Sequence, residues 1–168
     1  INNVKRVRSE SRGKQANEAA AFPHRFVYAP HTKGYSMLIP SVSSERREYL
    51  PCGFFDDRSV VVAPNLVMYG VPQWCLSLVA SRLHLVWIAT VCGKLKTDFR
   101  YSNTLGWNTF PVPNLTEKNK EDLTRGAEDI LLAREAHFPA TIADLYDPDK
   151  MPDNLRAAHE SNDETLER

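Results

Sequence analysis

The spacing of apolar positions changes twice along the chain, and each regime predicts a different kind of structure. Residues 1–20 are polar and basic, with Val4 and Val7 the branched aliphatic positions after Ile1, which predicts a surface helix or a linker. From residue 22 to residue 70 the apolar residues come in short runs at 25–29, 35–39, 47–50 and 59–63. Pro23, Pro30, Pro40, Pro51, Pro64, Gly34 and Gly53 punctuate them. Proline removes a ladder donor and glycine opens turn conformations, so this spacing predicts a small sheet with many turns. Residues 73–91 form the most apolar long stretch. There Trp74, Leu78, Leu85, Trp87 and Ile88 spread around a helical wheel, which predicts one helix buried on most sides. A basic loop or strand follows at 94–100, and Pro111 and Pro113 stop regular structure beyond it.

The last third is helical in pattern. Thr116 is placed to cap a helix whose first turn carries Glu117. Leu123, Ala127, Ile130, Leu131 and Arg134 then recur at helical spacing until Pro139 ends the run. Pro148 and Pro152 mark another break. Asp153 opens a final helix with Leu155, Ala158, His159 and Leu166 on one side. The expected fold class is α+β: a small mixed or antiparallel sheet around one buried helix, followed by a helical C-terminal tail. The expected boundaries are a connector at 1–21, a sheet-containing domain at 22–113 and the helical region at 114–168.

Composition narrows the class. At 42% hydrophobic and 25% charged residues, 168 residues suffice for an ordinary globular core. No apolar run reaches the roughly 18 residues of a membrane span. No secretory signal is visible and the first residue is not Met, so the chain reads as a piece of a longer protein. Cys52, Cys75 and Cys92 include no CxxC pair and cannot all pair internally, which points to a reducing, cytoplasmic setting. His and Cys are not clustered at ligand spacing, so no metal site is expected. The net charge of zero hides a split. Residues 1–100 hold 14 Lys/Arg against 7 Asp/Glu, and residues 101–168 hold 7 against 14. The first part can face a polyanion; the second cannot do so broadly.

Catalytic constellations are not found. No Gly-rich phosphate loop, GxSxG elbow or HExxH motif occurs. Cys75 and His84 fall about 180° apart on a single helix at roughly 100° per residue, so they do not form a nucleophile and base. His159 reads as a satisfied core or interface histidine. Asp56–Asp57 lacks the further oxygen ligands a cation needs.

Residues 94–113 run KLKTDFRYSNTLGWNTFPVP. They are followed by ILLAREAHF and TIADLYDPDKMPDNLRAAHESND, and preceded by IPSVSSERREYLP and the helix SRLHLVWI. In this order the segments resemble the C-terminal half of MmeI-like single-chain type II restriction–modification enzymes, and ADLYD at 143–147 with Met151–Pro152 is the most distinctive block. In that family one chain joins a nuclease domain, a helical connector, an adenine-N6 methyltransferase domain, a target-recognition domain and a C-terminal helical tail. The (N/D)PP(Y/F) motif, the S-adenosylmethionine-binding motif and a PD…(D/E)xK pattern are absent here. The resemblance therefore implies a recognition module that neither methylates nor cleaves. S-adenosylmethionine would belong to a methyltransferase domain elsewhere in the parent protein. The implied partners are double-stranded DNA and that domain, with no membrane.

DNA recognition asks for two residue classes. Phosphate contacts set register and base-edge contacts set sequence. Lys96 and Asp98, two apart, would share a face of an extended segment. Lys96 would donate to guanine and Asp98 would accept from cytosine N4, reading both halves of one G·C pair. The bland alternative is a solvated ion pair worth under about 1 kcal/mol. Lys94, Arg100, Lys33, Arg46, Arg47 and Ser44 are the phosphate candidates. The loop at 31–34 is either a groove probe or a plain surface turn. Arg82 is expected among the aromatic residues of its helix, and Tyr101, Trp107 and Phe110 in the core. The alternative function is a protein-interaction or helical docking module without direct DNA readout.

Overall fold

A computed structural model describes residues 1–27 and 32–168. The expected strand at 25–29 and loop at 31–34 lie partly outside the described residues, and 25–27 are not in a strand. The chain divides into two compact units, with the second spanning Thr32–Arg168. In the first, α1 (Asn2–Ser9) and α2 (Lys14–Glu18) are joined to a 3-10 turn at Ala19–Ala21. The Arg8 guanidinium holds these pieces together by donating to the carbonyls of Ala19 and Phe22, both at 3.2 Å, and of Arg25 at 2.8 Å.

The second unit contains six short strands. They are β1 (Ser36–Ile39), β2 (Val42–Ser43), β3 (Gly53–Phe55), β4 (Leu66–Tyr69), β5 (Lys94–Leu95) and β6 (Asp98–Arg100). They form two antiparallel sheets ordered β3-β1-β4 and β2-β6-β5. Central β1 sends Met37 and Ile39 into the core. Two expected strands are absent. Residues 47–50 are irregular, although Tyr49 and Leu50 are fully buried. Residues 59–63 form a loop in which Val60 and Val62 stay exposed. Strand propensity reflects fit to a half-buried pleated surface, and these valines have no such surface to meet.

The apolar stretch at 73–91 is two helices rather than one, α3 (Trp74–Val79) and α4 (Arg82–Val91). Ser81 makes the break. Its hydroxyl donates to the Leu78 carbonyl at 2.7 Å and accepts from the His84 N–H at 3.1 Å, ending one helix and capping the next. Cys75 and His84 therefore do not share a helix. Cys75 is a buried thiol pushed up to about 11 by desolvation, and His84 bonds Tyr101 through Nε2 at 2.9 Å. Helix α5 (Glu117–Glu135) starts in a capping box between Thr116 and Asn119. A second box, Thr141 with Asp144, opens α6 (Ile142–Leu145), and α7 (Asp153–Leu166) closes the fold.

Residues on both sides of position 114 fill one core. Helix α5 lies against α3 and α7. The Asn162 amide donates to the Ser77 carbonyl at 3.0 Å, and the Ser77 hydroxyl donates to the Leu123 carbonyl. Gly126 permits this approach, because a Cβ there would sit 2.7 Å from Asn162 Oδ1. Leu123, Ala127, Ile130 and Leu155 fill the space between the helices.

Arg134 continues that apolar stripe and is itself only 7% exposed. Nη1 donates to the Cys52 carbonyl at 2.7 Å, and Nε donates to the Tyr146 hydroxyl at 2.8 Å, joined there by Nη2. The guanidinium uses the hydroxyl as an acceptor, so the Tyr146 proton goes to His159 Nε2 at 2.7 Å. His159 is thus neutral, and burial together with the Arg134 charge lowers it to about 3. Its ring stacks on Tyr49 at 4.1 Å, and the Tyr49 hydroxyl donates to Asp163 at 3.2 Å. This cluster ties 49–52 to α5, α7 and the end of α6. Arg82, expected among aromatic residues, instead lies half-exposed over the Tyr49 ring at 4.9 Å and pairs with Glu48 at 2.8 Å.

Arg134→Met is expected to destabilise the protein by about 3–5 kcal/mol, because it leaves the Cys52 carbonyl and the Tyr146 hydroxyl buried without their donor. Urea unfolding measures this, and Arg134→Lys should recover less than half, lacking the planar fork. A second expectation concerns pH. His84 is lowered to about 4 and His159 to about 3, both chiefly by desolvation. The unfolded chain takes up these protons from about pH 6.5 downward while the folded state does not. Stability is therefore complete above pH 6.5 and declines toward pH 4, by roughly 3 kcal/mol per histidine. Unfolding midpoints at pH 7.5, 5.5 and 4.5 should show this decline, with about half the slope in His159→Gln.

Candidate nucleic-acid interface

The hairpin β5–β6 carries half of the residues singled out for DNA: Lys94, Lys96, Asp98 and Arg100. Its register, Lys94↔Phe99 and Leu95↔Asp98, leaves Lys96–Thr97 as a two-residue turn. Alternation along β6 divides its side chains. Phe99 is half-buried against the core, whereas Asp98 and Arg100 point to the opposite face. The hairpin base is fixed by backbone bonds from Arg100 N–H to Gly93 (3.0 Å) and from Tyr101 N–H to Ser41 (2.8 Å). Below it, the Tyr101 hydroxyl meets His84 inside the core.

Lys96 is not in an extended segment, contrary to the expectation behind its pairing with Asp98. Its φ is +58°, a left-handed value at the first central position of the turn. An L side chain there carries a cost of roughly 1–2 kcal/mol that glycine would avoid. The turn places the lysine at the exposed tip, while Asp98 is half-buried at the first position of β6. The two residues are neighbours across the tip rather than on one strand face.

Strand β2 brings a second segment beside the hairpin through Val42↔Arg100 and Ser43↔Phe99. The chain then turns at 44–47, closed by the Arg47 N–H to the Ser44 carbonyl at 3.2 Å. Ser44 accepts the Arg46 N–H at 3.3 Å. Arg46 reaches across to Asp149, donating to its two oxygens at 3.0 and 2.9 Å. Arg47 donates to the Tyr146 carbonyl at 3.2 Å and so braces this loop on the helical region. Lys94 lies 3.7 Å from Glu45 and 5.7 Å from the Phe99 ring centroid. Lys33 belongs to the loop leading into β1, in the other sheet. The structure thus gathers Lys94, Lys96, Asp98, Arg100, Ser44 and Arg46 around one small sheet, and leaves Lys33 outside that group.

The carboxylates Glu45 and Asp149 were not singled out in the sequence. Asp149 sits 103 residues from Arg46, beyond the reach of any local spacing rule. Among the described residues no group of three or more His, Cys, Asp or Glu is arranged to hold a metal ion, and no helix is long and apolar enough to cross a membrane.

Comparison with known proteins matches both parts of the chain. Residues 1–114 match the family model described as "MmeI, target recognition domain", and residues 115–168 match "MmeI, C-terminal domain". The chain belongs to the MmeI family. It carries that family's target recognition and C-terminal domains. It is 38% identical over 164 residues to DNA methyltransferase A of Bacillus subtilis (strain 168), covering 98% of this chain and 18% of that relative. It also superposes on a solved structure of the Type IIL restriction–modification enzyme MmeI in complex with DNA. The TM-score is 0.89 at 31% identity, over 99% of this chain and 22% of the other. The chain therefore spans about one fifth of the length of the relatives it matches. The α+β fold expected from the sequence is the fold of this MmeI-family recognition region.

Lys96→Gly is expected to stabilise the MmeI-family fold by about 0.5–1 kcal/mol, since glycine takes a left-handed φ without strain. Equilibrium unfolding would show it, and a loss of stability on this substitution would contradict the strain assigned to the turn.

Proposed function

We propose that this chain selects the DNA sequence at which a methyltransferase, carried by the rest of its polypeptide, acts. The observation that carries the reading is the β5–β6 tip. It places a cation and a carboxylate side by side, held out by a strained turn, on a chain with the MmeI target recognition domain. Strain retained at an exposed tip costs stability and suits a side chain that must be held outward. Lys96 donates to guanine O6/N7 and Asp98 accepts from cytosine N4, reading the two partners of one base pair. Lys94, Arg100, Arg46 and Ser44 flank the tip and meet phosphates, and Lys33 adds a contact from the other sheet. Arg47 contributes its charge from a braced position on the Tyr146 carbonyl.

The whole polypeptide is then a DNA adenine-N6 methyltransferase of a restriction–modification system, working in the cytoplasm on double-stranded DNA. In this reading S-adenosylmethionine is held by the methyltransferase domain and not by this chain. A groove of about 450 Å³ beside α5 and α7 has Leu78, Leu83, Phe110, Leu115 and Leu123 among its apolar lining. Its acidic group, Asp122, is paired with Lys118 and Arg125 and so is not free for ribose hydroxyls. The methyl-transfer chemistry belongs to the methyltransferase domain. That same apolar groove is what favours the second reading, a docking module without DNA readout.

Fluorescence anisotropy with duplex pools, at low and moderate salt, separates the two. Binding that falls steeply with salt is expected. In Lys96→Ala/Asp98→Ala the preference among selected sequences should drop by roughly 5- to 150-fold per lost base contact, the equivalent of about 1–3 kcal/mol, with a much smaller fall in bulk affinity. Absence of binding at low salt, both for this chain and for the full-length polypeptide, would leave the docking reading in its place.

A further inference from the structure

The basic groups around the hairpin are not in one electrostatic state. Lys96 and Arg100 have no ion-pair partner among the described residues, whereas Arg46 is held by Asp149 and Lys94 by Glu45. The Arg46–Asp149 pair is the better formed. Two donations from one nitrogen, at 3.0 and 2.9 Å, occupy the carboxylate oxygens, yet the two side chains remain 64% and 70% exposed. The anchoring of this region does not depend on it. Arg47 already ties the loop to the Tyr146 carbonyl, and Tyr49 and Arg134 lock the following residues to α7 and α5. Asp149 is in turn shaped locally, its N–H donating to the Asp147 carboxylate at 3.0 Å in a turn between α6 and α7.

An exposed carboxylate that offers its oxygens to an arginine presents it with the same acceptors as a phosphate. Because the pair is solvated, its own stabilisation is small and a polyanion can exchange for it. We propose that Asp149 is a built-in competitor for the phosphate contact of Arg46. In the free protein it occupies the guanidinium, and DNA must displace it. This rests on the reading of Arg46 as a phosphate contact and adds a restraining residue from the C-terminal domain. The physical consequence is a weaker hold on non-specific backbone, where phosphate contacts supply most of the affinity. The base-edge contacts at Lys96 and Asp98 are left untouched, so selectivity rises at the expense of affinity.

A double-mutant cycle tests it, with Arg46→Ala, Asp149→Asn and the pair, in salt titrations of binding to random-sequence duplex. Asp149→Asn should tighten binding about two- to fivefold at low salt, the range of an exposed ion pair. That gain should vanish in the Arg46→Ala background, since a general charge effect would persist there. Thermal unfolding of Asp149→Asn should match the parent within about 2 °C. A gain that survives Arg46→Ala, or unchanged or weaker binding by Asp149→Asn while Arg46→Ala weakens binding, would overturn the competitor role and leave DNA recognition standing. Unaltered binding by Arg46→Ala would remove Arg46 from the phosphate contacts and the competitor role with it. Failure of every variant and the unsubstituted protein to bind at low salt, in this chain and in the full-length polypeptide alike, would remove the underlying reading as well.

Discussion

A buried guanidinium holds this fold together. Arg134 is enclosed without an ion-pair partner among the described residues, its charge met by the Cys52 carbonyl, the Tyr146 hydroxyl and the face of the Tyr146 ring at 4.9 Å. Such a group is tolerated only if its donors are directed at fixed acceptors, because an unpaired buried charge is far more costly than a paired one. The acceptors come from separate parts of the chain, the approach to β3 and the end of α6. Burial of this side of α5 therefore requires both acceptors to be in place. The tautomer of His159 follows from the same constraint, since the one proton on Tyr146 has a single place left to go.

The consequences reach the β2-β6-β5 sheet through the backbone. The residues fixed by the cluster, 49–52, lie one residue beyond the 44–47 turn, and that turn follows β2, which pairs with β6. The hairpin is held from its other side by Tyr101, whose hydroxyl bonds His84 on α4. A sheet with strands of only two or three residues has little stability of its own. Its position is set by the helices behind it.

The opposed charges of the two halves of the chain acquire a structural meaning. The acidic C-terminal part does not stand apart from the basic part. Asp149 and Asp163 reach back to Arg46 and Arg82, and Glu48 in the sheet-containing part receives Arg82 and Arg156. Carboxylates are thus interleaved with cations at the junction, while the hairpin tip keeps Lys96 unpaired among the described residues.

The sequence alone determined what depends on local periodicity, local capping and resemblance. The helices after Thr116 and Asp153, the α+β class, the buried places of His159, Tyr101 and Phe110, and the family itself were all legible in it. So was the charge asymmetry. Only the tertiary structure decided the rest. Ser81 split an apolar run because its hydroxyl served two helix ends at once, which apolar spacing does not register. Strands formed at 53–55 and 66–69 rather than at 47–50 and 59–63, because pairing depends on which edge of β1 is available. Lys96 entered a left-handed turn since the hairpin register left two residues to reverse the chain. Arg134 met Cys52 and Arg46 met Asp149 across 82 and 103 residues, where no sequence period reaches and only the packing of helices against sheet brings the partners within hydrogen-bond distance.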